Sequence, residues 1–217
     1  MGYADHQNDS RIYLQKAEAV NKQIAFFDFD GTITTKDTLL EFIKFCKGKR
    51  AFYTGFVLNA PYLLAYKAKL ISNQKAKERI LGYFFHNTTT AQFTAYCKDF
   101  AIQVLPKLIR EKAKEEIETL KSKGFEVIVV TASAEDWVRP WTDAMQIGLI
   151  GTKLQLVKEK ITGKIQDINC HGEEKVKRIK AKYKLDEYQV IHAYGDTSGD
   201  HAMLKIAHEK YYKPFRK

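Results

Sequence analysis

The sequence predicts an α/β fold, a three-layer core on a parallel sheet interrupted by an all-helical insertion. Short apolar runs of strand length recur at residues 24–29, 125–130 and 190–194, and each ends abruptly in polar residues. Charged helical patterns at residues 107–123 and from Glu173 or Glu174 to Lys184 alternate with the later runs, as helices flanking a sheet do. Residues 36–108, in contrast, carry helical spacing throughout and no strand-like run.

Residues 1–22 are polar, with a short helical pattern at Ile12, Leu14 and Ala17 that reads as a leader packed on the core. The first strand, 24–29, runs into Asp28-Phe29-Asp30-Gly31-Thr32. Leu39, Leu40, Phe42, Ile43 and Phe45 then fall at helical spacing, with Gly48 as a stop. Residues 51–66 carry no charge and are rich in aromatics. That run is shorter than the ~18–20 residues of a spanning helix, and Pro61 interrupts it. A buried helix pair and an apolar surface resting on a membrane are both consistent with it. Further helices are expected at 74–85 and 90–101, the latter capped by Thr88 or Thr89. Beyond the insertion, Leu108, Ile109, Ala113, Ile117 and Leu120 share one helical face, closed by Gly124. Residues 154–157 and 161–165 read as a hairpin.

The chain has 217 residues, enough for one large domain or a core with an insertion. Its net charge of +10 favours anionic partners, but the lysines are scattered among acids and no nucleic-acid-binding motif accompanies them. Nucleic acid is therefore not expected as a partner. Cys46, Cys97 and Cys170 lack metal-type spacing and are odd in number, which points to free thiols in a reducing compartment. With no apolar signal core near the N-terminus, a cytoplasmic location is expected, with a peripheral position at the inner membrane surface as the alternative.

The strand ends supply the chemistry. Asp28 and Asp30 follow the first strand, Thr131 and Ser133 the second, Asp196 and Asp200 the third. In a parallel sheet these ends meet at one edge, in the crevice where open α/β sheets bind ligands. Lys175 lies near a helix start before the last strand. Carboxylates are costly in a sheet interior unless paired or bound to a cation. Paired carboxylates, a hydroxyl, an ammonium and further carboxylates for a hard cation are what phosphoryl transfer through an aspartyl-phosphate requires. Mg²⁺ suits such oxygen ligands. His171, His192 and His201 fit no zinc spacing.

With these parts in order, the chain resembles the haloacid dehalogenase superfamily, in the subgroup with a helical cap after the nucleophile that includes phosphoserine phosphatase. The matching residues are DFDGT at 28–32, Thr131 after VIVV, Lys175, and GDTSGD at 195–200. The resemblance implies a Rossmann-like core of residues 1–35 and 109–217 and a cap of 36–108. It implies that Asp28 is the nucleophile and Asp30 the general acid and base. Thr131 and Lys175 would bind the phosphoryl oxygens. Asp28, the Asp30 carbonyl and Asp196 would hold Mg²⁺, and Asp200 would orient a metal-bound water or Lys175.

The resemblance specifies the reaction more closely than the substrate, a small phosphorylated molecule or a phospholipid head group. Ala132-Ser133 stand where phosphoserine phosphatases have paired glycines, Gly199 where they have asparagine, and Asp37 where they have a cap glutamate. Arg50 and Arg79 are the cap's only arginines available to bind a substrate carboxylate. The forms Thr131-Ala132-Ser133 and GDTSGD also resemble a broader subgroup that includes bacterial phosphatidylglycerophosphate phosphatases. A non-enzymatic phosphate-binding scaffold is the remaining alternative, against which the paired Asp28 and Asp30 argue.

Overall fold

The computed structural model describes residues 22–216; the leader pattern at Ile12, Leu14 and Ala17 lies outside them. Five strands, β1 (Gln23–Phe27), β2 (Glu126–Ala134), β3 (Gly148–Thr152), β6 (Val190–Gly195) and β7 (Glu209–Tyr212), form one sheet in the order β3-β2-β1-β6-β7. Every neighbouring pair is parallel. A parallel sheet must be covered on both faces, and the side-chain alternation of β1 shows how. Ala25 and Phe27 join an apolar cluster with α5 (Glu111–Ser122) and α6 (Glu135–Ala144). Ile24 and Phe26 point the other way, to α7 (Glu173–Lys182) and α8 (His201–Lys205). The result is the expected three-layer α/β core.

The chain lays down β1, β2 and β3 in one direction and then returns to place β6 and β7 on the far side of β1. The strand order therefore reverses between β1 and β6. That reversal opens a crevice at the carboxyl ends of these two strands.

Between β1 and α5 the chain is helical: α1 (Thr38–Leu58), α2 (Ala60–Lys67), α3 (Asn73–Phe85) and α4 (Thr90–Gln103). Gly48 adopts φ +80° and breaks α1, as its position in the sequence predicts. Ser72 caps α3 by accepting from the Lys75 N–H, and Thr89 caps α4 by accepting from the Gln92 N–H. The block is fastened to the core through Phe42. Its ring lies 5.3–5.5 Å from those of Phe85, Phe93 and Phe100 and 5.1 Å from Trp137 of α6. Such aromatic pairs add about 0.5–1.5 kcal/mol each beyond their area burial. A hairpin of β4 (Leu154–Val157) and β5 (Lys160–Ile165) packs its second strand on α3.

Several boundaries depart from the sequence expectations. β1 stops at Phe27, two residues early, because the chain turns at Phe29–Ile33 to bring Asp28 and Asp30 to the crevice. β2 runs on through Ser133 to Ala134 instead of ending at Val130, with a register shift against β3 over that extension. The helix expected from Lys107 starts at Glu111, since Leu105–Lys107 forms a separate turn and the Arg110 N–H is drawn to Ile33 O. The strands β3 and β7 and the helix α6 were not individually legible. β3 is five residues with two glycines, and β7 is a half-exposed, polar edge strand.

Gly163 of β5 has φ +81°, and a Cβ there would lie 2.2 Å from the Gly82 Cα of α3. Gly163→Ala should therefore destabilise the protein by at least about 2 kcal/mol through overpacking and a left-handed backbone. Gly82→Ala, whose Cβ meets nothing within 4 Å, should be neutral or slightly stabilising by helix propensity. Urea unfolding of the two variants checks the contrast; equal stabilities would contradict the packing described.

Candidate active site

Asp28 retains extended backbone geometry at the end of β1, and its N–H donates to Tyr194 O of β6 at 2.9 Å. The chain then turns at Gly31, where φ is +85°. A Cβ at position 31 would stand 2.5 Å from Asp196 Oδ2, so the turn needs glycine for both its conformation and the space. Beyond it, the Thr32 hydroxyl lies 3.2 Å from both Asp28 Oδ2 and Asp196 Oδ1 and ties the ends of β1 and β6 together.

Lys175 sits in the first turn of α7 and is 1% exposed. Its Nζ donates to Asp28 Oδ1 at 2.5 Å and to Asp200 Oδ1 at 2.8 Å. Burial alone would favour the neutral amine, but the two carboxylates outweigh it and hold the ammonium protonated. Burial pushes Asp28 up to about 7 even against the pull of Lys175, with the charges of Asp200 and Asp30 adding to the rise. Burial also opposes ionisation of Asp200, yet Lys175 and the N–H groups of Thr197 and Asp196 hold it below the usual carboxylate range. Those N–H groups lie 3.0 and 3.1 Å from Asp200 Oδ2.

Asp30 belongs to a second, adjoining network. One oxygen accepts from the Thr38 N–H and hydroxyl, both at 2.6 Å, and the other accepts from Ser133 Oγ at 2.6 Å. Trp137 Nε1 in turn donates to the Thr38 hydroxyl at 3.2 Å, so the first residue of α1 connects Asp30 to the core helix α6. Thr131 is fully buried, and its Oγ1 accepts the Ser133 N–H at 2.9 Å. Accepting leaves the Thr131 O–H proton free to donate.

A cleft of about 260 Å³ collects these groups; Asp28, Asp30, Ser133, Lys175 and Asp200 line it. The helical block contributes Asp37, Leu39, Asn73 and Lys77. Lys77 reaches across to Ala132 O at 2.8 Å and Asn169 Oδ1 at 3.0 Å. Burial lowers its pKa, against the opposing charges of Asp30 and Asp37.

Carboxylate oxygens of Asp28, Asp196 and Asp200 lie within 4.8 Å of one another, all three residues being buried. Burial raises the Asp196 pKa, and the Arg216 guanidinium bonds to its carboxylate as a partial counter-charge. Three crowded buried carboxylates facing one buried ammonium form a hard-oxygen donor set that suits Mg²⁺, and the donor set thus fits the expected cation.

Of the residues singled out from the sequence, Asp28, Asp30, Lys175 and Asp200 line one cleft, Asp196 adjoins it through Thr32, and Thr131 lies beneath the wall formed by Ala132 and Ser133. Asp30 directs its carboxylate to Thr38 and Ser133 and is not a member of the three-carboxylate cluster. Arg50 is exposed, and Arg79 is engaged by Asn59 Oδ1 and the Tyr62 ring, so neither lines the cleft. Among the three histidines, His171 alone lines it. Sequence reasoning missed Thr38, Asn73 and Lys77. Lys77 sits among Lys75, Glu78 and Arg79 and carries no local signal that sets it apart from a solvated lysine.

The chain is similar in sequence and fold to several known proteins. Protein CicA of Caulobacter vibrioides is 36% identical over 192 residues, covering 88% of this chain and 85% of that one. A probable phosphatase of Mycobacterium tuberculosis is 26% identical over 204 residues, 88% of this chain and 69% of that one. A phosphoserine phosphatase in its apo form superposes with a TM-score of 0.62 at 16% identity, covering 88% of this chain and 86% of that one, which establishes the shared fold. The family model for haloacid dehalogenase-like hydrolases matches residues 25–205, a stretch that holds the helical block, every strand of the sheet but β7 and the first two residues of β1, and every carboxylate of the cleft. The chain belongs to the haloacid dehalogenase-like hydrolase family.

Proposed function

We propose that the protein is a Mg²⁺-dependent phosphatase that hydrolyses phosphomonoesters through an aspartyl-phosphate on Asp28. The observation that carries this reading is Lys175 Nζ, bonded to both Asp28 and Asp200 at a cleft that Asp30 also faces. A buried ammonium beside a carboxylate favours its ionised, nucleophilic form and offsets the charge of an incoming phosphoryl group. Family membership and the relative described as a probable phosphatase support the same reaction class.

In the first step a carboxylate oxygen of Asp28 forms a bond to phosphorus as the ester oxygen leaves. Asp30 protonates that oxygen; its bonds to Thr38 and Ser133 fix its orientation while the ester binds. In the second step Asp30 takes a proton from water, whose oxygen attacks phosphorus, releasing phosphate and restoring the Asp28 carboxylate. Lys175 and the Thr131 hydroxyl would hold the phosphoryl oxygens. Asp28, Asp196 and the Asp30 carbonyl would hold Mg²⁺, with Asp200 fixing Lys175. When bound, the cation supplies a Lewis acid that neutralises phosphoryl charge.

The division of labour that fits these roles is a catalytic core of residues 1–35 and 109–217 and a cap of 36–108 that covers the leaving group. The substrate reading we favour is a small phosphorylated metabolite of the phosphoserine type, with Lys77 in place of an arginine as the cap's cation in the cleft. A lipid phosphomonoester such as phosphatidylglycerophosphate is the second reading, favoured by the exposure of the apolar residues Val57 and Leu64 on the same cap.

Asp28→Asn should lower kcat by at least about a thousandfold with an unchanged circular dichroism spectrum, and Asp30→Asn by about 10²–10⁴-fold. Substantial residual turnover in Asp28→Asn would sink the nucleophile assignment. Chelation should abolish phosphate release and Mg²⁺ should restore it; full activity in excess chelator would remove the metal from the account. Lys77→Met should raise KM more than it lowers kcat. The substrate readings are separated by measuring Mg²⁺-dependent phosphate release from phosphoserine and from phosphatidylglycerophosphate in mixed micelles at matched concentrations.

A further inference from the structure

The helical block carries a surface that hydrolysis leaves unexplained. Between Glu41 and Glu78 the sequence contains no acidic residue, and from 51 to 66 it contains no charge at all. α2 lies within this stretch and buries none of its residues, although most of them are apolar. Val57 is 72% exposed, Leu64 64% and Leu70 78%, with Tyr53, Leu58 and Tyr62 exposed beside them in sequence. Scattered apolar side chains on a surface need no explanation, but a helix pair whose outward side is almost wholly apolar does.

This side is backed by a buried, hydrogen-bonded inner one. Phe52, Gly55 and Asn59 are buried, and Asn59 donates to Gly55 O and accepts from Arg79 of α3. The exposed residues are therefore presented by a folded tip. Cations stand at its two margins: Lys49 and Arg50 before the uncharged run, Lys67 and Lys69 after it, all exposed. The acid that follows, Glu78, is turned to β5, where it accepts from the Ile165 N–H. An apolar tip whose flanking charges in the sequence, up to Glu78, are all positive is complementary to an anionic lipid surface, with side chains at the acyl boundary and cationic groups at phosphate level. No helix of the described residues is long and apolar enough to cross a membrane.

We propose that the tip formed by the end of α1, by α2 and by Leu70 docks on an anionic lipid bilayer. Leu70 lies three residues before Asn73, which lines the catalytic cleft, so docking sets the cleft beside the interface. The docking does not depend on the proposed hydrolysis, and the two are tested separately.

The test is flotation of the 217-residue chain with vesicles of phosphatidylcholine, alone or mixed with phosphatidylglycerol. Binding to the mixed vesicles should be at least about tenfold tighter and should weaken with added salt. Combining Val57→Ser, Leu64→Ser and Leu70→Ser should reduce it at least about tenfold. Combining Lys49→Gln, Arg50→Gln, Lys67→Gln and Lys69→Gln should remove the preference for anionic vesicles. Both variants should keep the native circular dichroism spectrum and the wild-type rate on a soluble phosphomonoester, and Asp28→Asn should bind vesicles as the wild type does. Equal binding to both vesicle types, or binding that the serine variant retains, would overturn the proposal. So would a dimer in sedimentation that the serine substitutions dissolve, which would assign this surface to a second copy of the chain.

Discussion

The contact on which the rest of the molecule depends is the ammonium of Lys175 buried between Asp28 and Asp200. An unpaired charge in that position would be prohibitive, and removing one partner of a buried pair typically costs about 3–5 kcal/mol. The pair therefore constrains three separate elements at once. β1 must end at Phe27, β6 must end beside it, and α7 must begin where its first turn delivers Lys175 to both. The reversal of strand order between β1 and β6 supplies the space, and Gly31 and Thr32 close it around Asp196. Three buried carboxylates crowded together are costly on their own, and such an oxygen donor set suits a hard cation.

Much of this was legible in the sequence because it is local. The run that becomes β1, the acidic turn after it, and GDTSGD at 195–200 each join an apolar strand to polar residues within a few positions. The elements that escaped are those whose identity is set by tertiary partners. β3 carries two glycines and exists because β2 offers it an edge; β7 is polar and completes the sheet only on β6. The same holds in the cleft. Lys77 reads as one more lysine on a charged helix until α3 is seen to carry it to Ala132 O and Asn169. Thr38 is only the first residue of α1 in the sequence, and the fold makes it the link between Asp30 and Trp137.

The helical block answers two opposite demands with one set of residues. Its inner side, centred on Phe42, is an aromatic cluster that ties the block to α6, and the block brings Lys77 and Asn73 to the cleft lined by Asp28, Asp30 and Lys175. Its outer tip is apolar without being buried, and its flanking charges are all of one sign. The uncharged run of 51–66 thus divides between core and surface: Phe52 and Gly55 are core, whereas Tyr53, Val57 and Leu64 are not. Sequence periodicity did not make that division because apolar residues fill both sides of the helices.

The central claim is that Asp28 becomes covalently phosphorylated while Lys175 holds it. The most direct measurement is to quench the enzyme during turnover with Mg²⁺ and substrate, reduce any acyl phosphate with borohydride, and locate the modified residue by peptide mass spectrometry. Conversion of Asp28 to homoserine, absent without substrate, is the predicted result. Active enzyme that shows no modification under trapping, or modification at Asp30 or Asp196 instead, would contradict the account.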